Sequence, residues 1–99
     1  MRHKSSKDKN LFLYAKIQNK LEELIGIKGE IKNEKYLLVK INATVFSVQR
    51  FSATKQFCVF YPFNGLLQTK LLRKEWIEVV WLLRDFYEHF NQDNEIHTI

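Results

Sequence analysis

The sequence predicts an α+β domain in which two amphipathic helices flank a small antiparallel sheet. Two segments, one near each terminus, repeat their apolar residues at helical spacing. The stretch between them is rich in β-branched and aromatic residues set in short alternating runs. A chain of 99 residues is the size of one domain, and 45% hydrophobic with 14% aromatic content exceeds what a disordered chain carries. The expected organisation is a basic flexible arm over 1–9, a single domain over 10–90 and a disordered tail over 91–99.

Asn10 is a candidate N-cap, and helix formers follow it to Ile25. Leu13, Tyr14, Ile17, Leu21, Leu24 and Ile25 share one helical face, with Lys16, Asn19, Glu22 and Glu23 opposite. Phe12 falls off the apolar face. Gly26 and Gly29 end the helix. A short strand is expected at Gly29–Lys32, and a clearer one at Tyr36–Ile41, where Leu37, Val39 and Ile41 alternate with Tyr36, Leu38 and Lys40. Thr44–Phe51 admits two readings. Its β-branched and aromatic content favours a strand, whereas Val45, Val48 and Phe51 at threefold spacing allow a short helix capped by Thr44. Phe57–Phe63 reads as extended, with Pro62 arguing for an edge or a loop, and Asn64-Gly65 marks a turn.

The second helix is expected over Thr69–Phe90. Leu72, Trp76, Val79, Val80, Leu83, Phe86, Tyr87 and Phe90 line one arc of it. Trp81 lies opposite, among Lys74, Glu78, Asp85 and Glu88, with Ile77 one turn before it. Ile77 and Trp81 are therefore the candidate partner interface, as an exposed apolar pair on a charged face.

Charge is segregated along the chain. The net charge is +5 and the pI near 9.4, which favours an acidic partner such as nucleic acid. Residues 1–10 hold Arg2, Lys4, Lys7 and Lys9 against Asp8, and 11–34 are balanced. Lys35–Lys74 contains seven basic residues and no acid, whereas 75–99 holds six acids against Arg84. A polyanion would meet the arm and the middle rather than the last helix.

No apolar run approaches the roughly 18 residues of a membrane span, so no membrane role is expected. The N-terminus carries no apolar signal region, which predicts an intracellular protein. Abundant Lys, Asn, Ile, Phe and Tyr fit an organelle (mitochondrion or plastid), a phage or a bacterial cytoplasm. One cysteine, Cys58, excludes a disulfide framework and a cysteine-rich zinc site. His3, His89 and His97 are scattered, and Asp85 with His89 at a spacing of four makes a helix-face ion pair rather than a metal site. Glu22 and Glu23 are adjacent on a helix and diverge. No phosphate loop, catalytic triad or nucleophile elbow is present.

Three stretches in order resemble the C-terminal half of a LAGLIDADG homing endonuclease repeat. Lys4–Leu13 leading into Lys16–Leu21 is similar to the family's strand end, polar connection and helix. Gly26-Ile27-Lys28-Gly29-Glu30-Ile31 followed by Tyr36–Ile41 resembles its glycine turn and hairpin. Phe60-Tyr61-Pro62-Phe63, then Leu67–Lys70 and Trp76–Val80, resembles its Tyr-Pro segment and the helix that follows. The resemblance covers most of residues 4–83 and implies a homing-endonuclease-like half-domain binding double-stranded DNA. It sets Lys4 and Lys7 at the end of a DNA-facing strand, Lys32, Lys35 and Lys40 on or beside the next hairpin, and Thr44–Phe51 in a helix. Arg50 and Lys55, from the acid-free stretch, complete the candidate nucleic-acid-binding set.

The family's defining helix, whose terminal acid holds the metal, is absent from this sequence. The expectation is therefore a DNA-binding fragment or degenerate relative that does not cut alone. No cofactor is expected in this chain, and Mg belongs only to a complete endonuclease. Two other functions fit. One is a small protein-binding or homodimeric module, of the phage or bacterial inhibitor or chaperone type, using Ile77, Trp81 and the half-apolar face of Tyr36, Leu38 and Phe60. The other is a double-stranded RNA-binding module, if Thr44–Phe51 is a strand, although its basic helix start has only Lys70, Arg73 and Lys74.

Overall fold

A computed structural model describes the backbone of residues 6–63 and 67–97 and the side chains of 8–61 and 69–89. Helix α1 (Ser6–Ile25) is followed by strands β1 (Glu30–Lys32), β2 (Tyr36–Ile41), β3 (Thr44–Phe51), β4 (Gln56–Phe63) and β5 (Leu67–Arg73), and then by helix α2 (Trp76–His97). The strands form one antiparallel sheet in the order β1-β2-β3-β4-β5. The chain is thus an α+β domain with a sequential five-stranded meander, in which each strand pairs with its neighbour through a short connection.

Both helices cover the same sheet face. Tyr14, Ile17 and Leu21 from α1 and Val79, Val80 and Leu83 from α2 are buried in a single core. That core meets Leu37, Val39 and Ile41 of β2, Phe46 and Val48 of β3, and Phe57 and Val59 of β4. These strand positions alternate as period-two geometry requires. Each fully buried aliphatic side chain contributes roughly 1.5–3 kcal/mol relative to exposure. Tyr36, Leu38, Lys40, Val45, Phe60 and Leu72 fall on the uncovered face, where Leu38, Ser47, Phe60 and Lys70 sit side by side across four strands.

Turn residues fix the register. Asn33 and Glu34 take φ of 52° and 59°, and the Lys35 amide donates to the Lys32 carbonyl at 2.9 Å. Two consecutive left-handed residues give a twist that suits a hairpin. In the two-residue β2–β3 turn only Asn42, of Asn42 and Ala43, takes positive φ, at 56°. Gly26 (φ 72°) receives the end of α1, its amide donating to the Glu22 carbonyl at 3.0 Å, which is the single-bond αL ending. Gly29 is needed for room. A Cβ there would meet the Leu38 carbonyl oxygen at 2.7 Å and the Leu37 and Val39 side chains at 2.9 Å.

Several elements depart from the sequence expectation or decide between its alternatives. Helix α1 begins at Ser6, inside the stretch expected to be an arm, so Asn10 is an interior residue and not the N-cap. Leu24, at the edge of the apolar arc, is exposed. Thr44–Phe51 takes the strand alternative, because Phe46 and Val48 alternate into the core while Val45 and Phe51 face outward. That differs from the helix implied by the endonuclease resemblance. Thr69–Arg73 is strand, not helix: it pairs with β4, pointing Leu71 toward the core side and Leu72 to solvent. Helix α2 therefore starts at Trp76 and continues to His97, through most of the stretch expected to be a disordered tail.

Pro62 lies in β4, an interior strand, which departs from the edge or loop expected. The β3 pairing ends at Ser47–Phe60, however, so at Pro62 only β5 is paired, opposite Gln68. The missing N–H of proline thus falls where one side of the strand needs no partner. The Asn64-Gly65 turn lies outside the described residues.

Candidate functional site

The site grows from one residue position on β3. Its core-facing residues run Phe46, Val48, Arg50, so the apolar row ends in a guanidinium. Arg50 Nη1 donates to Asn10 Oδ1 at 2.9 Å, and Asn10 Nδ2 donates to the Arg50 carbonyl at 3.4 Å. The guanidinium carbon lies 5.9 Å from the centroid of the Phe57 ring. Held from both sides, the guanidinium loses little further freedom on meeting an anion.

Tyr14 fixes the backbone beneath it. Its hydroxyl accepts from the Arg50 amide at 2.7 Å and donates to the Lys35 carbonyl at 3.0 Å. One phenol therefore ties α1 to β3 and to the β1–β2 turn. Burial pushes the Tyr14 pKa up, opposed by the Arg50 amide and the Arg50 charge.

A cavity of about 280 Å³ opens beside Arg50. Lys9 of α1, Lys55 of the β3–β4 turn and Lys74 of the β5–α2 junction line it with Arg50. Leu13, Phe57 and Trp76 form its apolar wall, and Glu75 is the acid at its edge. Among the described residues, four cations from four segments thus face one space against one carboxylate. Lys55 holds φ of 57°, with its amide donating to the Phe51 carbonyl at 2.7 Å. A left-handed non-glycine residue is costly by roughly 1–2 kcal/mol, so the tight turn imposes strain at the cavity rim.

Both helices start at this end of the sheet, since Lys9 and Leu13 share the cavity with Trp76, the first residue of α2. The positive ends of the two helix dipoles add to the lysines. The Glu75 amide donates to Glu78 Oε1 at 2.9 Å, the reciprocal half of a capping box. Nearby, Lys16 Nζ lies 5.1 Å from the ring centroids of both Phe12 and Trp76, which accounts for the exposed aromatic on α1.

The sequence-predicted residues distribute unevenly. Arg50 and Lys55 come together in the cavity. Lys35 borders an adjoining cavity of about 330 Å³ that Arg50, Asn10, Asn33 and Ser52 also line. Lys32 is apart, paired with Glu30 at 2.9 Å, and that carboxylate raises its pKa. Lys40 sits at the opposite end of β2, next to the β2–β3 turn. Lys4 lies outside the described residues, and Lys7 belongs to α1 with its side chain outside them. Lys9 and Lys74 lie outside the DNA-binding set read from sequence, although both belong to the basic stretches and Lys74 to the basic cluster of the RNA-binding alternative.

The expected Ile77–Trp81 surface pair divides. Trp81 is 48% exposed, but Ile77 packs against the core, because α2 turns its flank toward the sheet. Cys58 is buried on β4, and burial raises its thiol pKa, opposed by Lys70. Asp85 and His89 line a cavity of about 350 Å³ with Leu82 and Phe86. Among the described residues, no three His, Cys, Asp or Glu side chains gather to hold a metal, and no helix is long and apolar enough to cross a membrane.

No protein-family model, curated protein or solved structure matches this chain.

Proposed function

We propose that this chain is a nucleic-acid-binding domain that holds duplex DNA by its phosphates and does not cleave it alone. The supporting observation is the convergence of Lys9, Arg50, Lys55 and Lys74, from four separate segments, on one cavity at the helix-starting end of the sheet. The adjoining cavity adds Lys35 and, beside it, the acid Glu34. Phosphate contacts of this kind set affinity and position without reading sequence. The proposal rests on this placement of charge, not on the endonuclease resemblance, whose expected helix at Thr44–Phe51 is a strand here.

Salt dependence tests it. Binding to a duplex of about 20 base pairs, followed by fluorescence anisotropy from low to moderate salt, should weaken as salt rises, with a log–log slope of about −0.9 for each phosphate neutralised. The absence of duplex binding at low salt would overturn the proposal, as would affinity indifferent to salt.

A second reading is favoured by the uncovered sheet face and by Trp81. Val45, Phe51 and Leu72 are exposed on that face, an apolar share that suits a protein partner or a second copy. Light scattering on the wild type and on Trp81→Asp separates this reading: a monomer in both cases counts against self-association.

A further inference from the structure

The cavity beside Arg50 has features that a surface for passing phosphodiesters does not need. Lys9, Lys55, Lys74 and the anchored Arg50 line it together with Leu13, Trp76 and Phe57, whose ring lies against the Arg50 guanidinium. An internal phosphodiester continues into sugars in two directions and suits a track of charges, whereas these four cations gather on one cavity. A terminal phosphate continues in one direction only. It also carries close to two negative charges at neutral pH, against one for a diester. Four cations against the single Glu75 match the former better.

The dimensions agree. About 280 Å³ falls just below the roughly 300–1,000 Å³ of sites that take whole drug-sized ligands, so it suits one group on a larger molecule. The guanidinium has five N–H donors, and its Asn10 contact employs Nη1, leaving the rest of the fork for phosphate oxygens. Lys55 is held over the rim by a left-handed backbone (φ 57°).

We infer that this cavity receives the terminal phosphate monoester of a nucleic-acid strand, so that the domain recognises strand ends. The inference rests on the nucleic-acid reading above and names the part of the ligand that enters the site. Arg50 and Lys55 grip the phosphate oxygens, and Lys9 and Lys74 balance its second charge. Trp76 and Leu13 border the first nucleoside.

The chain is titrated by anisotropy with three versions of one short duplex, 5′-phosphorylated, 3′-phosphorylated and hydroxyl-ended at both positions, and the phosphorylated forms are then challenged with a mononucleotide 5′-monophosphate. One phosphorylated end should bind about tenfold more tightly than the hydroxyl-ended duplex, the effect of a strong charge-assisted contact. In Lys55→Asn and in Lys74→Gln that preference should shrink while melting temperature holds. Equal affinity for all ends would overturn end recognition and leave duplex binding intact. Absence of binding to every duplex would overturn the nucleic-acid reading itself. Displacement of the phosphorylated duplex by the mononucleotide at equal or lower concentration would overturn the inference by assigning the cavity to a free phosphomonoester.

Discussion

The two ends of β3 carry opposite solutions to the same geometric problem. Each core-facing strand row must stop somewhere, and side chains at its end meet solvent. At one end Phe46 packs with Tyr61 and Phe86, with ring centroids 4.9–5.3 Å apart in tilted and edge-on arrangements. Aromatic contacts of this kind add about 0.5–1.5 kcal/mol beyond burial. At the other end, four residues along, Arg50 replaces the ring with a guanidinium, and Lys9, Lys55 and Lys74 surround the opening. One end is sealed by apolar contact; the other is held apart by like charge and is ready for an anion. Excess positive charge without a ligand is a cost to folding that a bound polyanion relieves.

Moving charge at each end tests the contrast most severely. Lys9→Glu combined with Lys55→Glu and Lys74→Glu should weaken duplex binding by at least about 100-fold at low salt, since three cations facing the phosphate become three anions. Lys40→Glu, at the opposite end of β2, should change affinity by less than about threefold. Similar losses from both would erase the distinction between the ends, as anisotropy on the same duplex would show.

A smaller effect is expected from Tyr14, which ties the charged end together. Tyr14→Phe leaves the Arg50 amide without the acceptor it has at 2.7 Å, a loss of about 1–3 kcal/mol for an orphaned buried donor. Chemical denaturation reads it directly. Because burial holds the phenol neutral in the fold, the folded state keeps this proton to higher pH than the unfolded chain. The stability so gained is whole below the ordinary phenol pKa of about 10 and is lost as pH rises through the higher folded value. Melting temperature should therefore fall more steeply above pH 10 in the wild type than in Tyr14→Phe.

The smallest expected change is the stability effect of Lys55→Asn. Asparagine tolerates the left-handed region that Lys55 occupies, so the substitution should leave stability within about 0.5 kcal/mol of wild type or raise it. A larger loss, measured by denaturant titration, would mean that the lysine ammonium itself holds the turn.

Much of the scaffold was legible in sequence because its signals are local. The 3.6-residue spacing of Tyr14, Ile17 and Leu21 and the alternation of Leu37, Val39 and Ile41 each name the buried face outright. Thr69–Arg73 reads as helix in sequence because Leu72, Trp76 and Val79 continue a helical arc without interruption. What makes those residues a strand is the open edge of β4, and that requirement is invisible within the segment itself. The site follows the same division. Arg50 and Lys55 stand close in sequence, across the β3–β4 turn, and were named. Lys9 and Lys74 join them only after α1 crosses the sheet and β5 returns to the same end. The acid-free run from Lys35 to Lys74 was the available signal for Lys74, and it marked a region rather than a constellation.

The position of Cys58 has a practical consequence. It is the chain's single thiol, lies in an interior strand between Gln49 and Leu72, and is fully buried. Burial also raises its pKa, so the reactive thiolate is scarce while the sheet is intact. The Cys58 side chain shares the helix-free face with Gln49 and Leu72. A thiol reagent added under native conditions therefore advances only as fast as those neighbours move aside, and its rate is a clock for loosening of that face. The domain carries its own single-site reporter, and running that clock with and without DNA measures how far a ligand at the charged end restrains a strand that runs the length of the sheet.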